Sequence, residues 1–324
     1  MSTRTPSFYL LVPGPWREAR SLVELLVAKG LPAEMSLPDP IAKGRLRVEI
    51  VEGDDFDRAC AWGRYGRLPE DLLKKAGQCS SAALIECGFL LHEDPALMAR
   101  LGSVLQDAGG VLVRMEASGA ASDWKSWIKA MESGTPWAIY CSSVLMVGDD
   151  EDGTVTCGMH QFDLPDARIC MSDPVQAMAW LDTLCVYQIA EKPLLQSGHT
   201  FSPDEETPRR KIERWPDLLH HSGDGRSNPF GMWKVLEPGD NGVASSNPTP
   251  VMMPALLAIL TNAERQKGSP LTREEVESLR DQSAAIMMEA ADAAALERSR
   301  GYADILPERA WEQWHALKQL NKQA

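Results

Sequence analysis

Positive charge is scarce in this 324-residue chain. Lys and Arg total 33 against 46 Asp and Glu, a formal net charge of −13 at pH 7. A surface that acidic repels phosphate backbones and argues against a nucleic-acid partner. It favours a basic protein instead, because opposite fields speed encounter. Long apolar runs are missing too. The run at the N-terminus, Phe8 to Val12, spans only five residues before Pro13. That is too short for a signal-peptide core, and no stretch is long enough to span a bilayer. The seven cysteines, Cys60, Cys79, Cys87, Cys141, Cys157, Cys170 and Cys185, are odd in number, irregularly spaced and without a Cys-x-x-Cys pair. Most sit in apolar runs, which predicts free thiols in a reducing, cytosolic compartment and neither a disulfide frame nor a zinc site.

Catalytic signatures are absent as well. Gly63-x-x-Gly66 lacks the Lys and Ser/Thr that complete a phosphate loop, and no Gly-x-Ser-x-Gly elbow occurs. Ser80-Ser81 and Ser142-Ser143 adjoin cysteines but no histidine. Cys157 and His160 are three apart, a spacing that in a strand sends them to opposite faces.

What the chain does have is core material. Apolar residues make up 44%, enough for packed domains, and the length suits two of them. The pattern predicts strands at Phe8 to Val12, Leu46 to Val51, Ala82 to Leu91, Val111 to Met115, Trp137 to Val147, Thr154 onward and Ala167 to Met171. Between them it predicts helices from Trp16 to Lys29 and in one or two short pieces over Asp55 to Gly77. Another is expected behind Ser122 as cap. Asp94-Pro95 and Asp173-Pro174 each read as a helix opening: Asp accepts from an orphan N–H, and Pro at the first position loses no needed donor. The recurrence of strand, Asp-Pro and helix points to two related α/β halves. Asp149 to Gly153 reads as an acidic turn. Past Trp233 the composition turns to Pro, Gly, Ser and Asn, and then becomes helical. Helices are expected over Met253 to Gln266, from Arg273 to about Arg298 behind a Thr272/Glu275 capping box, and from Pro307 onward. The reading is therefore an α+β domain over 1–238, a mixed sheet with helices packed on it. A linker over 239–250 and a small all-helical module over 251–324 follow.

The richest polar stretch runs from Glu191 to Trp233 and holds three of the six histidines, His199, His220 and His221. Adjacent histidines point apart on a helix or a strand, and the spacing lacks the order of a metal site, so no metal or other cofactor is expected. Gly198-His199-Thr200-Phe201 reads as a turn with Gly at positive φ before an inward aromatic. Asn228-Pro229-Phe230-Gly231 reads as a turn and Asp224-Gly225-Arg226 as a solvated loop. Trp311 and Trp314 share a helical stripe that serves either as core or as a contact surface.

Two stretches carry a resemblance. Gly158 to Phe201, with GMHQFDLPDARI and a terminal GHTF, resembles the C-terminal part of bacterial domains of unknown function. The segments PLTREEVESLRD and RGYADILPERAWEQW resemble small helical proteins that accompany bacterial secreted-toxin loci, including type VI secretion. The resemblance implies a cytosolic immunity or accessory protein that neutralises a basic toxin by direct binding. Its contacts would include Trp311, Trp314, His199, His220, His221 and Arg226. The alternative is a hydrolase or modification-reversing enzyme using His199, His220, His221 and Asp224.

Overall fold

The computed structural model describes residues 6–36, 40–148, 153–217, 219–221, 224–242 and 248–322. The chain divides into two compact units, residues 1–147 with 156–164, and residues 148–155 with 165–324. Both mix strands and helices, and the fold is α+β.

In the first unit the elements in chain order are β1 (Phe8–Gly14), α1 (Ala19–Ala28), β2 (Ala33–Met35), β3 (Leu46–Glu52), α2 (Phe56–Ala59), β4 (Trp62–Gly63) and β5 (Gly66–Arg67). They continue with α3 (Glu70–Gly77), β6 (Ser81–Cys87), α4 (Pro95–Asp107), β7 (Val113–Met115), β8 (Ala121–Ser122), α5 (Trp124–Ser133) and α6 (Pro136–Ser143). The sheet order is β2-β3-β6-β1-β7-β8. β6 is antiparallel to both β1 and β3, with Leu10 opposite Ile85 and Val48 opposite the same residue. β1 and β6 are apolar almost throughout and mostly buried on both faces, as strands must be when helices cover a sheet. Leu22 and Leu26 of α1, Leu73 and Ala76 of α3, and Met98, Leu101 and Leu105 of α4 supply the buried helix faces.

Two expectations change here. The cap of α5 is Asp123, whose carboxylate accepts from the Ser126 N–H at 3.0 Å, and not Ser122, which ends β8. Trp137 to Ser143 is helical, not a strand: the Thr135 hydroxyl caps α6 and Pro136 takes its first position. An apolar stretch of this length reads equally as buried strand or buried helix, and the cap decides it.

β9 (Leu145–Gly148) and β10 (Gly153–Cys157) carry the chain across the boundary, and Met159–Phe162 forms a 3-10 turn. The acidic turn expected at 149–153 lies, but for Gly153, outside the described residues. The second unit continues with β11 (Asp166–Cys170), α7 (Pro174–Glu191), β12 (Thr200–Phe201), β13 (Arg210–Trp215) and β14 (Met232–Val235). Its sheet runs β12-β13-β14-β11-β10, with β11 and β14 parallel and the other pairs antiparallel. The Asp-Pro openings work as expected: Asp94 accepts from Leu97 N–H, and Asp173 from Val175 and Gln176 N–H. α7 buries Leu181, Leu184 and Cys185, and its Gln188 accepts a hydrogen bond from the Trp233 indole at 3.1 Å.

The C-terminal part comprises β15 (Thr249–Met252), α8 (Leu256–Lys267), α9 (Arg273–Gln282), β16 (Ala285–Met288), α10 (Ala290–Arg300) and α11 (Ala310–Lys322). The capping box of Thr272 and Glu275 is present. The expected long helix from Arg273 is broken, however. Ala285–Met288 pairs antiparallel with Thr249–Met252, so the module is not all-helical. Tertiary pairing overrides helix propensity in that stretch. The described part of 239–250 lies inside the second unit, and residues 243–247 are outside the described set. Polar contacts bind the module to the sheet. Gln313 donates to the Arg214 carbonyl at 2.6 Å, Arg309 meets the buried Glu213 at 3.3 Å, and Arg214 reaches Glu297 at 3.2 Å. Asp304 supplies the N-terminal cap that α8 lacks locally, accepting from Leu256 and Leu257 N–H at 2.8 Å each.

All seven cysteines are free thiols, and among the described residues no helix is long and apolar enough to cross a membrane. Burial pushes the Cys60 thiol up to about 12 and raises that of Cys87 as well. Burial raises the half-buried Cys79 thiol too, so at pH 8 native-state alkylation should be slowest at the buried Cys60 and Cys87 and faster at Cys79. Denatured protein, without reductant, should take up seven labels by mass, and a protected pair would contradict the thiol assignment. Trp314 is 2% exposed, in a core with Leu256, Leu260, Val276 and Ile305. Trp314→Ala should destabilise the second unit by about 3–5 kcal/mol in denaturant titration, an effect far larger than that of Trp311→Ala.

Candidate functional site

The histidine stretch folds as a loop pinned by carboxylates. Asp217 follows β13 and is buried. One of its oxygens accepts from the Leu219 and His220 N–H groups at 2.8 and 3.2 Å, an Asx-type turn. The other accepts from Asn228 N–H at 2.8 Å and lies 3.4 Å from His220 Nδ1. Asn228 passes the network on, donating from Nδ2 to the buried Asp166 at 2.6 Å. Its side-chain oxygen accepts from Phe230 N–H, and Gly231 N–H closes the turn onto the Asn228 carbonyl at 3.0 Å. Gly231 is required there. Its φ is +67°, and a Cβ would stand 2.2 Å from the Trp215 carbonyl oxygen.

Asp224 and Arg226 form a local pair. The carboxylate accepts from the Arg226 N–H, Nε and Nη2 at 2.8, 3.2 and 2.9 Å. Hydrogen bonding to the Arg226 side chain, more than any other effect, pulls the Asp224 pKa down to about 2, and nearby His220 adds to the pull. Arg226 is thus spoken for within its own loop. The His220–Asp217 contact has the form of an oriented imidazole, yet the His220 side chain is only 10% exposed. His221 is half-buried, and its carbonyl accepts from Asp224 N–H. His199 lines a groove whose lining, among the described residues, includes neither His220 nor His221, the convergence the enzymatic alternative would need. Among the described residues no group of three or more His, Cys, Asp or Glu is placed to hold a metal ion.

The tryptophan stripe divides. Trp314 is core, with the Lys318 ammonium 4.5 Å above its ring, and a buried indole offers a partner no surface. Trp311 is half-buried and tilted against His315 at 5.2 Å.

Two features were missed from sequence. The first is in the first unit. β4 and β5 form a tight hairpin whose tip carries Arg64 and Tyr65. Arg64 donates to the Val144 carbonyl at 3.2 Å and lies 4.7 Å over the Tyr140 ring, which fastens the tip to α6. Tyr65 also meets the Cys141 side chain. Beside this clasp Trp62 is 58% exposed, Tyr65 82% and Trp137 51%, and Trp137 lies 6.2 Å from Tyr140. The run Trp62-Gly63-Arg64-Tyr65-Gly66-Arg67 carried the signal: aromatics and arginines between turn-forming glycines.

The second is the groove of about 1110 Å³ in the second unit, which borders β12. Tyr187, Leu194, His199, Phe201, Asp204 and Arg209 are among its lining residues. Gly198 stands at its head with φ +90°, as the turn reading expects.

Comparison of the chain with protein-family models, with curated proteins and with solved structures finds no match in any of the three.

The Asp224 clasp has a pH signature. A carboxyl whose folded pKa lies below its unfolded value of 3.8 stabilises the fold above that pH and loses the contribution as pH falls toward 2. Denaturation midpoints of wild type and Asp224→Asn should differ at pH 5 and converge between about pH 4 and 2. A gap unchanged by acid would show that the charge plays no part.

Proposed function

We propose that this chain is a protein-binding protein that neutralises a basic partner by direct contact, in the manner of a cytosolic immunity protein for a bacterial secreted toxin. The observation that carries the reading is the exposed trio of Trp62, Tyr65 and Trp137 around the Arg64 clasp. Trp, Tyr and Arg are the residues that dominate binding energy at protein interfaces. Large aromatics left in water at a rigid tip offer apolar area at little ordering cost. The net charge of −13 suits a basic partner and would speed encounter more than it deepens affinity. The enzymatic alternative draws on the His220–Asp217 contact, but its imidazole is largely covered and His199 lines a separate feature.

Co-expression with any toxin-like gene found beside its own in the genome tests the proposal, and the absence of such a neighbour counts against it. The expected result is growth rescue together with a stable complex on gel filtration. Combined Trp62→Ala, Tyr65→Ala and Trp137→Ala should abolish both without shifting the thermal midpoint, each truncation costing roughly 2 kcal/mol or more of binding. Rescue by catalytic amounts with no complex would replace this reading with the enzymatic one. Full rescue by the triple variant would remove the aromatic trio from the interface.

A further inference from the structure

The groove beside β12 combines three features that recognise one kind of ligand. The first is a free sheet edge. Among the described residues β12 is the outermost strand of its sheet and pairs only on the β13 side. His199 gives its carbonyl to Ile212 N–H, and Phe201 lies opposite Arg210. Because antiparallel backbone groups alternate, Thr200 between them turns its N–H and C=O toward the open edge. An extended chain laid there would find one donor and one acceptor.

The second feature is a layered aromatic floor. Tyr187 stacks on Phe201 at 6.2 Å with 30° between the rings, and Phe201 meets Trp180 edge-on at 6.1 Å. The far end of this stack is already in use, since the Arg210 guanidinium lies 5.4 Å over the Trp180 ring. The near end is open: Tyr187 is 38% exposed and lines the groove. A guanidinium is drawn to the electron-rich face of such a ring, and is weakly enough hydrated to leave water for it. Arg210 on Trp180 shows the arrangement within the molecule itself.

The third is charge. Two carboxylates, Asp204 and Glu205, line the groove against one cation, Arg209. They sit on a loop made rigid by its own hydrogen bonds. The Ser202 hydroxyl lies 2.6 Å from both the Asp204 and Thr207 carbonyls and can donate to either, and Asp204 accepts from Glu206 and Thr207 N–H. The acidic lip is therefore held at the mouth before any ligand arrives.

We infer that this groove binds an extended, arginine-bearing segment of the partner, with the arginine over Tyr187, its charge toward Asp204 and Glu205, and its backbone along Thr200. The inference rests on the protein-binding reading above and names the chemistry of the segment engaged by the second unit. A glutamate-rich or uncharged segment would leave the lip unpaired and the ring face unused.

The test uses the full chain and a fluorescein-labelled extended peptide of about seven residues that alternates arginine with valine. In fluorescence anisotropy it should bind at least tenfold more tightly than the same peptide with citrulline for arginine. Tyr187→Trp should keep or strengthen binding, because indole offers the better cation face. Tyr187→Leu, which keeps apolar bulk without a ring, should weaken it about fivefold. Glu205→Gln should weaken it and flatten its salt dependence. Equal affinity for the citrulline peptide, or no loss in Tyr187→Leu, would overturn the inference. The Trp62/Tyr65/Trp137 alanine variant, run alongside, should bind the peptide normally. A failure at the groove thus leaves the partner-complex experiment standing, and a failure there leaves this one.

Discussion

The second unit depends on an arginine whose side chain is mostly covered. Arg214 lies in β13 with its guanidinium 4.9 Å over the Trp233 ring of β14. It donates from Nε to the Phe230 carbonyl at 2.8 Å and from Nη2 to Glu297 of α10 at 3.2 Å. Its backbone N–H is taken by the Ser197 hydroxyl, and its carbonyl by Gln313 of α11. One residue thus joins two strands, the Asn228 turn, the segment before β12 and two helices of the C-terminal part. Burial draws its pKa down, and Glu297 draws it back up. A cation so placed holds only while its partners stay, which makes the arrangement cooperative. It also explains why the C-terminal helices share a unit with the sheet, although composition changes abruptly between them.

That sharing marks the limit of what local sequence reveals. The Asp-Pro openings, the Thr272/Glu275 box and the apolar runs of β1 and β6 were legible because each acts over a few residues. The Asn228 and Gly198 turns were legible for the same reason: glycine chemistry names its own conformation. The pairing of 285–288 with 249–252 was not, since Ser-Ala-Ala-Ile-Met-Met leans toward helix by propensity and the strand that overrides it is distant in sequence. The helix at Pro136 was hidden by a uniformly apolar stretch in which period carries no signal.

The site followed the same rule. Histidine density drew notice to a loop whose chemistry is that of Asp217, Asp224 and Asn228 holding a turn in place. Trp314 and Trp311 share a stripe in sequence and pack on the same cluster, but only Trp314 is fully buried in it. The exposed aromatics at the β4–β5 tip escaped notice for a plain reason. Exposure belongs to the folded surface, and Trp62 looks in sequence like any other core candidate. The aromatic stack of Trp180, Phe201 and Tyr187 likewise draws its members from a helix and a strand.

Asp304 gives the order of events a direction. The first turn of α8 has its open N–H groups satisfied by a carboxylate almost fifty positions downstream, with Leu256 and Leu257 both bonded to it. On a ribosome, α8 would emerge long before the residue that closes its end, and β13 long before the glutamine that covers the Arg214 carbonyl. The nascent second unit would stay open until α11 had been made. A chain cut short before Arg309 would lose both side chains, Arg309 and Gln313, that the C-terminal part sets against Glu213 and the Arg214 carbonyl of β13.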